Sequence, residues 1–404
     1  MSINLIGVSA SGGIPLFCRQ KSSISSEGIP FVKMASLNSV NLFSRLNDAN
    51  LRSTLTADSS IHWKIYRGSI VLILVTTVDQ ATSFRDINSS TMDRLLDFIF
   101  DTIILTCGLS KLIETNTESL KSSLRSSFPA IDYILDQLYS GHSVQLCLQK
   151  FEFILTESWA TSFMEPLVDT AARLASSQYC CLIARRRIVS ATKHWWTKIA
   201  PTRDALLIIN LVNSFNLNDS SGSSREATIY LPENCPNNPV RLVAFMVAPK
   251  MIIVFLCGES PSTQQLKESI IGPLRESRKD QEIFKKIVTE KRIPLHLDEN
   301  IINLVICRSD RNMFTLLGSL DSIKVRDLLK LMELSLDRQK LSHSSIINNH
   351  LDCYVKFSGY KGYACESNNF KIYILLPLEK QLNDFKRIGE KTLSLINKEK
   401  KLWP

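Results

Sequence analysis

The residues able to do covalent chemistry in this 404-residue chain are few and poorly spaced for it. The stretch Gly7-Val8-Ser9-Ala10-Ser11 comes within one residue of a nucleophile elbow. That motif holds its serine on a sharp strand-to-helix turn, and here Ser11 stands where the second glycine is required. With Gly12 and Gly13 following, the stretch reads as a hairpin turn whose glycines accept positive φ. The six histidines, at 62, 142, 194, 296, 343 and 350, never fall at i, i+4. His343 and His350 lie in a polar stretch and read as solvated. The ten cysteines form no Cys-x-x-Cys, and none pairs with histidine at zinc-ligand spacing. Most sit in apolar runs, as Cys257 does, which fits buried, reduced thiols of a cytosolic protein. There is no phosphate-cradling glycine-rich lysine loop and no G-x-G-x-x-G after a strand. A Ser-His-Asp triad assembles only in space, and nothing here favours one. The reading is therefore a chain with no catalytic residue, no cofactor and no metal.

What remains is non-covalent recognition. Arg185, Arg186 and Arg187 form the basic tip of a hairpin, and Lys398, Lys400 and Lys401 a basic C-terminal group. Both are solvated features on the simplest reading and contacts to lipid head groups or an acidic partner on the sharper one. Trp195 and Trp196 read as core anchors, one at a sheet edge and one under the following helix, with a partner-facing role as the alternative. Asn38, Asn41 and Arg45 form the polar face of a helix and are candidate partner-facing residues. The net charge of +9 is modest and scattered, so nucleic acid is not expected, while peripheral contact with an anionic membrane stays open. No apolar run is long enough to span a bilayer. Ile3–Ala10 is too short for a signal peptide, and Ser2 excludes N-myristoylation, so a cytoplasmic protein is expected.

A repeated order of elements must position these residues. Gln178–Asn213 reads as strand, tight turn, strand, helix, with Leu206, Ile209, Val212 and Phe215 on one helical face. The same order opens at Ile3, with a helix over 31–46 whose core face is expected to be Met34, Leu37, Val40 and Phe43, and again at Ile301. Three strand candidates and further helices follow each opening. The expected fold is an α/β (α+β) sandwich: three domains, each a five-stranded antiparallel sheet flanked by helices. The boundaries are 1–140, a helical connector over 141–175, 176–292 and 293–404. Gln264–Thr289 reads as a charged helix, Pro232–Pro239 as a turn, and Val325–Leu336 as the helix of the third unit.

Three blocks, S-A-S-G-G-I-P-L-F-C-R (Ser9–Arg19), S-L-N-S-V-N-L-F (Ser36–Phe43) and I-V-S-A-T-K-H-W-W (Ile188–Trp196), resemble the Fuzzy family of planar cell polarity effectors. The third unit shares only the pattern. The resemblance implies three longin domains and no covalent chemistry. It implies an Inturned-like longin partner and a Fritz-like WD-repeat protein in the ciliogenesis and planar polarity effector (CPLANE) complex. It further implies exchange on a Rab-family small GTPase, and a place at the cilium base and cytoskeleton. The alternative is a trafficking adaptor that binds phosphoinositide membranes without exchange activity.

Overall fold

Three apolar runs become the central strands of three sheets: β5 (Ile70–Thr77), β11 (Met251–Cys257) and β16 (Phe370–Pro377). Six consecutive residues of β5, Ile70–Val75, are buried. Such a run shows no alternation because both faces of the strand are covered. In the computed structural model the described residues are 2–22, 29–77, 89–113, 116–140, 144–217, 223–289, 295–308, 310–318, 328, 331–332, 353–367, 369–399 and 403–404.

The first sheet is built from β1 (Ser2–Ser9), β2 (Pro15–Ser22), β3 (Ser53–Leu55), β4 (Ser59–Tyr66) and β5, ordered β2-β1-β5-β4-β3 and antiparallel throughout. Helix α1 (Phe31–Leu46) lies on one face, over Ile6, Val8, Trp63, Val71 and Ile73. Helices α2 (Ser89–Cys107), α3 (Thr117–Leu124) and α4 (Phe128–Tyr139) follow, and they belong to the other face. Pro129 sits in the first turn of α4, where its missing N–H costs nothing, so it starts a helix instead of breaking one. Lys64 Nζ lies 2.8 Å from Asp97 Oδ1, and the Tyr66 hydroxyl donates to the same oxygen at 3.0 Å, tying α2 to β4.

The segment expected to be a helical connector holds α5 (Val144–Leu148), the two-residue strand β6 (Phe151–Glu152) and α6 (Ser158–Leu174). The second sheet uses β7 (Tyr179–Ala184), β8 (Arg187–Ala191), β9 (Ser224–Leu231), β10 (Cys235–Ala248) and β11, ordered β8-β7-β11-β10-β9. A π-helical turn, Trp195–Ile199, leads into α7 (Asp204–Ser214). The expected Pro232–Pro239 turn is shorter, because β10 already starts at Cys235. Asn237 and Asn238 are exposed there, and the pairing of β10 with β11 starts only at Arg241, so Pro236 and Pro239 interrupt no ladder bond to β11. The expected helix over Gln264–Thr289 is segmented: α8 (Thr263–Leu266), a π-turn, α9 (Gly272–Glu276) and α10 (Arg278–Thr289), with Pro273 at the start of α9.

The third sheet takes β12 (Asn303–Arg308), β13 (Met313–Gly318), β14 (Cys353–Lys356), β15 (Tyr360–Ser367) and β16, and α11 (Leu382–Lys398) packs on it. It repeats the order of the other two and adds β6 alongside β13, giving β14-β15-β16-β12-β13-β6. The β6–β13 pairing is parallel, with Phe151 opposite Met313, and Thr315 Oγ1 donates to the Phe153 carbonyl at 2.8 Å. A strand taken from the connector thus covers an edge that would otherwise expose unpaired backbone. Of the expected Val325–Leu336 helix, only 328, 331 and 332 are among the described residues.

The chain forms two compact units. One is Met1–Gln149 with Asn210–Phe215 and Ile229–Pro239; the other is Lys150–Ile209, Asn216–Thr228 and Val240–Pro404. Within the first unit Gln137 Nε2 donates to Asn210 Oδ1 at 2.9 Å, and Tyr230 lies against Gly108, whose φ is +79°. Within the second, Trp196 packs edge-on to Phe153 at 5.6 Å and against Phe151 at 6.4 Å, and its carbonyl accepts from Arg311 Nη1. Its ring therefore joins the connector strand to the second domain.

Two expectations follow. Trp196→Ala should destabilise the second unit by about 3–5 kcal/mol, the usual cost of emptying a buried aromatic site; an unchanged denaturation midpoint would show that the ring carries no packing. His62, on β4, is buried and bonded to Ser60 Oγ at 2.9 Å, and burial holds its pKa below the ordinary value against the opposing charge of Asp93. A depressed histidine is neutral when folded and gains its proton on unfolding. Its contribution is complete above about pH 6.5 and falls away as pH drops below it, by at most about 1.4 kcal/mol per pH unit. Melting curves of the natural chain and His62→Gln between pH 5 and 8 should diverge only on the acid side; parallel curves would exclude this role.

Candidate functional site

Helix α1 decides where the site is. The expected core face, Met34-Leu37-Val40-Phe43, does not hold. At about 100° per residue, a series spaced by three drifts about 60° each step, so Phe43 ends on the side opposite Met34. Met34 and Leu37 do pack toward the sheet, but the residues that continue their face are Asn38 and Asn41. These two were assigned to a solvent-facing polar face. They are buried instead, with Asn41 only 1% exposed, and are corrected to the inner side; Arg45 is exposed. Turned outward are Val32, Val40, Phe43 and Leu46, 73%, 52%, 70% and 85% exposed. They make an apolar outer row along the helix, and Phe31 is exposed at its first position. Counted at 3.6 residues per turn, Val32, Phe43 and Leu46 fall near one line with Ser36 and Ser39 between them, and Val40 lies about 80° to its side.

The helix is held in this rotation by polar contacts beneath it. Trp63 Nε1 donates to the Leu37 carbonyl at 3.2 Å. Gly13, at φ +66°, brings the β1–β2 turn against Asn38, and any side chain there would collide with its amide. Two of the sequence blocks singled out above, around Gly13 and around Asn38, therefore meet in space. Asn38 Oδ1 and Asn41 Nδ2 are buried without hydrogen-bond partners.

The internal repeat supplies a comparison. Helix α7 occupies in the second domain the place of α1 in the first, and every residue of α7 is buried. Its C-terminal end, Asn210–Phe215, belongs to the first compact unit, where α4 meets it through the Gln137–Asn210 bond. One copy of this helix is thus buried at every position. The outer face of the other copy is apolar and open.

The basic candidates separate. Arg185 and Arg186 form the β7–β8 turn with φ of +47° and +69°, and the Arg185 N–H donates to the carbonyl of Lys250, itself at φ +62° in the β10–β11 turn. Three basic residues thus share one end of the second sheet in a backbone conformation that costs side-chain-bearing residues about 1 kcal/mol or more each. Arg187 is not part of that tip in function. Its Nε pairs with the buried carboxylate of Glu152 at 3.1 Å, joining β8 to β6, so its assignment as a lipid contact is corrected to a structural ion pair. Lys398 is exposed in the last turn of α11, and Lys400 and Lys401 lie outside the described residues. Trp195 is fully buried and Trp196 nearly so.

Ser9 Oγ bonds Ser11 Oγ at 3.1 Å in a strand-to-strand turn, and the nearby Gly7 is there because a side chain would strike the Phe17 ring. Burial pushes the Cys180, Cys181 and Cys257 thiols above their ordinary value and Cys307 up to about 12, which leaves them poor nucleophiles. Among the described residues, no group of three or more His, Cys, Asp and Glu could hold a metal ion, and no helix is long and apolar enough to cross a membrane.

Comparison with known proteins places this geometry. Residues 4–134 match the first longin domain of FUZ, MON1 and HPS1, and residues 175–271 match the second longin domain of the same group. The protein fuzzy homolog of Xenopus tropicalis is 26% identical over 98% of this chain and 98% of its own length. The human homolog is 30% identical over 67% of this chain and 61% of its own, and the mouse homolog 28% identical over 79% and 74%. The matched regions are the first two sheets with their helices, and the third sheet repeats their strand order. The chain belongs to the Fuzzy family of longin-domain proteins, as a divergent member.

Proposed function

We propose that this chain is a non-catalytic planar cell polarity effector subunit that acts in cilium assembly and vesicle trafficking. In this reading it pairs with an Inturned-like longin protein, and the pair promotes nucleotide exchange on a Rab-family GTPase, with a Fritz-like WD-repeat protein as a further partner at the base of the cilium. One observation carries the reading: in a longin-domain chain, the outer row of α1 is apolar and open, while the matching helix α7 is covered. Val32, Val40, Phe43 and Leu46 form a stripe suited to a second helix-bearing layer. Exchange of this kind needs no bond-making group. It needs a surface that binds the nucleotide-free GTPase better than the loaded one. A single small domain offers about half of a standard interface, which argues for two chains acting together.

A second reading has its own observation, the Arg185, Arg186 and Lys250 tip. Cations kept in left-handed turns where glycine or asparagine would be less strained favour a contact with anionic head groups. Such a contact would seat the same complex on a phosphoinositide membrane.

Nucleotide release from a ciliary Rab separates these ideas. Release should be slow with this chain alone and fast with an Inturned-like partner added. Phe43→Asp should weaken partner-dependent release at least about tenfold with its melting temperature unchanged, because the ring is exposed. Asn41→Arg should instead unfold the first domain, because that site is buried. Full activity from the chain alone would refute the two-chain requirement, and a fully active Phe43→Asp complex would remove α1 from the docking surface. Liposome sedimentation of Arg185→Glu/Arg186→Glu tests the second reading: unchanged binding to phosphoinositide vesicles would dismiss it.

A further inference from the structure

Beside α1, at the end of the first sheet where β1 begins and β5 ends, lies a cleft of about 510 Å3. That is the size of a small-molecule site. Its apolar walls are Ile29 and Leu37 on the helix side and Ile61 and Val75 on the sheet. Its polar end is built from strand termini. There Ser2 and Thr77 are committed to each other, Oγ to Oγ1 at 2.7 Å, with the Ser2 N–H also donating to Thr77 Oγ1 at 2.8 Å.

Asn4 is different. It lines the same cleft, is only 4% exposed, and its Nδ2 reaches Ser2 Oγ at 3.4 Å. Its Oδ1 has no hydrogen-bond partner. A buried amide oxygen left unpaired is costly, and a cleft lined by the residue that carries one favours a ligand that brings the missing donor. The walls ask for hydrocarbon, and the acceptor asks for an O–H or N–H. An ionised carboxylate, which only accepts, does not answer it.

We propose that this cleft binds an uncharged amphipath, a hydrocarbon body carrying a hydroxyl or amide donor, with the donor on Asn4 Oδ1 and the chain against Leu37, Ile61 and Val75. The cleft adjoins the outer row of α1, sharing Val40 with it, and its ligand is tested with no partner present.

The test is titration of the full chain with three probes of equal chain length: 1-decanol, decyl methyl ether, which lacks the donor, and decanoate. Decanol should bind saturably at one site, and the ether and decanoate at least about tenfold more weakly, the usual effect of leaving a buried acceptor unpaired. Asn4→Leu should erase the preference for the alcohol over the ether while raising the melting temperature. Ser36→Trp, at an exposed position on the cleft wall, should block both without disturbing the core. Should Asn4→Leu fail to fold, the alcohol–ether ratio and Ser36→Trp still decide. Equal binding of alcohol and ether, no saturable binding of either, or indifference to Ser36→Trp would overturn the proposal. Tighter binding of decanoate would also overturn it, by assigning the cleft to an anion held by Lys33 at its wall.

Discussion

A sheet whose central strand is apolar on both faces must be covered twice, and the rest of this molecule follows from how each cover is supplied. β5 and β11 are buried almost throughout. Each lies between paired strands, with helices that follow in the chain on one side and the helix of the opening unit on the other. In the second domain that opening helix, α7, is so apolar that it must itself be enclosed, and it is buried at every position. In the first domain the opening helix covers the sheet with an inner face that is partly amide, and its outer face carries the larger apolar side chains. The two copies solve the same packing requirement with opposite distributions of polarity, and the difference leaves the outer apolar side chains of α1 exposed.

The connector shows the same economy of edges. Two residues of β6 close the β13 edge of the third sheet, and one of them, Glu152, is paired with Arg187 of the second. A carboxylate buried this deeply needs its cation, since a lone charge would be strongly unfavourable. The aromatic contacts of Phe151 and Phe153 with Trp196 add apolar burial beside the ion pair. Second and third domains are consequently parts of one compact unit, although their sheets are separate.

Several buried polar atoms of the first domain lack a partner. Asn4, Asn38, Asn41 and His62 each carry a buried side-chain atom without a partner, and three of the four lie between α1 and its sheet or beside the helix. A layer held this way is less stable than an apolar one of the same shape. It also leaves the rotation of α1 and the acceptor in the adjoining cleft as features that a ligand or a partner could exploit.

Much of this was legible in the sequence. The strands and helices, their threefold repetition, the turn at Gly12-Gly13, and the lack of spaced catalytic or metal-binding residues all rest on local patterns, which carry their own physical cause in side-chain period and backbone freedom. What the tertiary structure decided concerns which way those elements face. Asn38 and Asn41 look solvated in a polar count, yet they are inward because Trp63 and the Gly13 turn fix the helix rotation. Arg187 looks like its two neighbours, yet it is consumed by Glu152, which arrives from 35 residues earlier in a strand too short to announce itself. Asn4 is one amide in an apolar strand, and only the approach of α1 to the end of the sheet makes it part of a cleft's lining. Period and propensity are properties of a segment; orientation, pairing and enclosure belong to contacts between distant segments, and no local pattern encodes them.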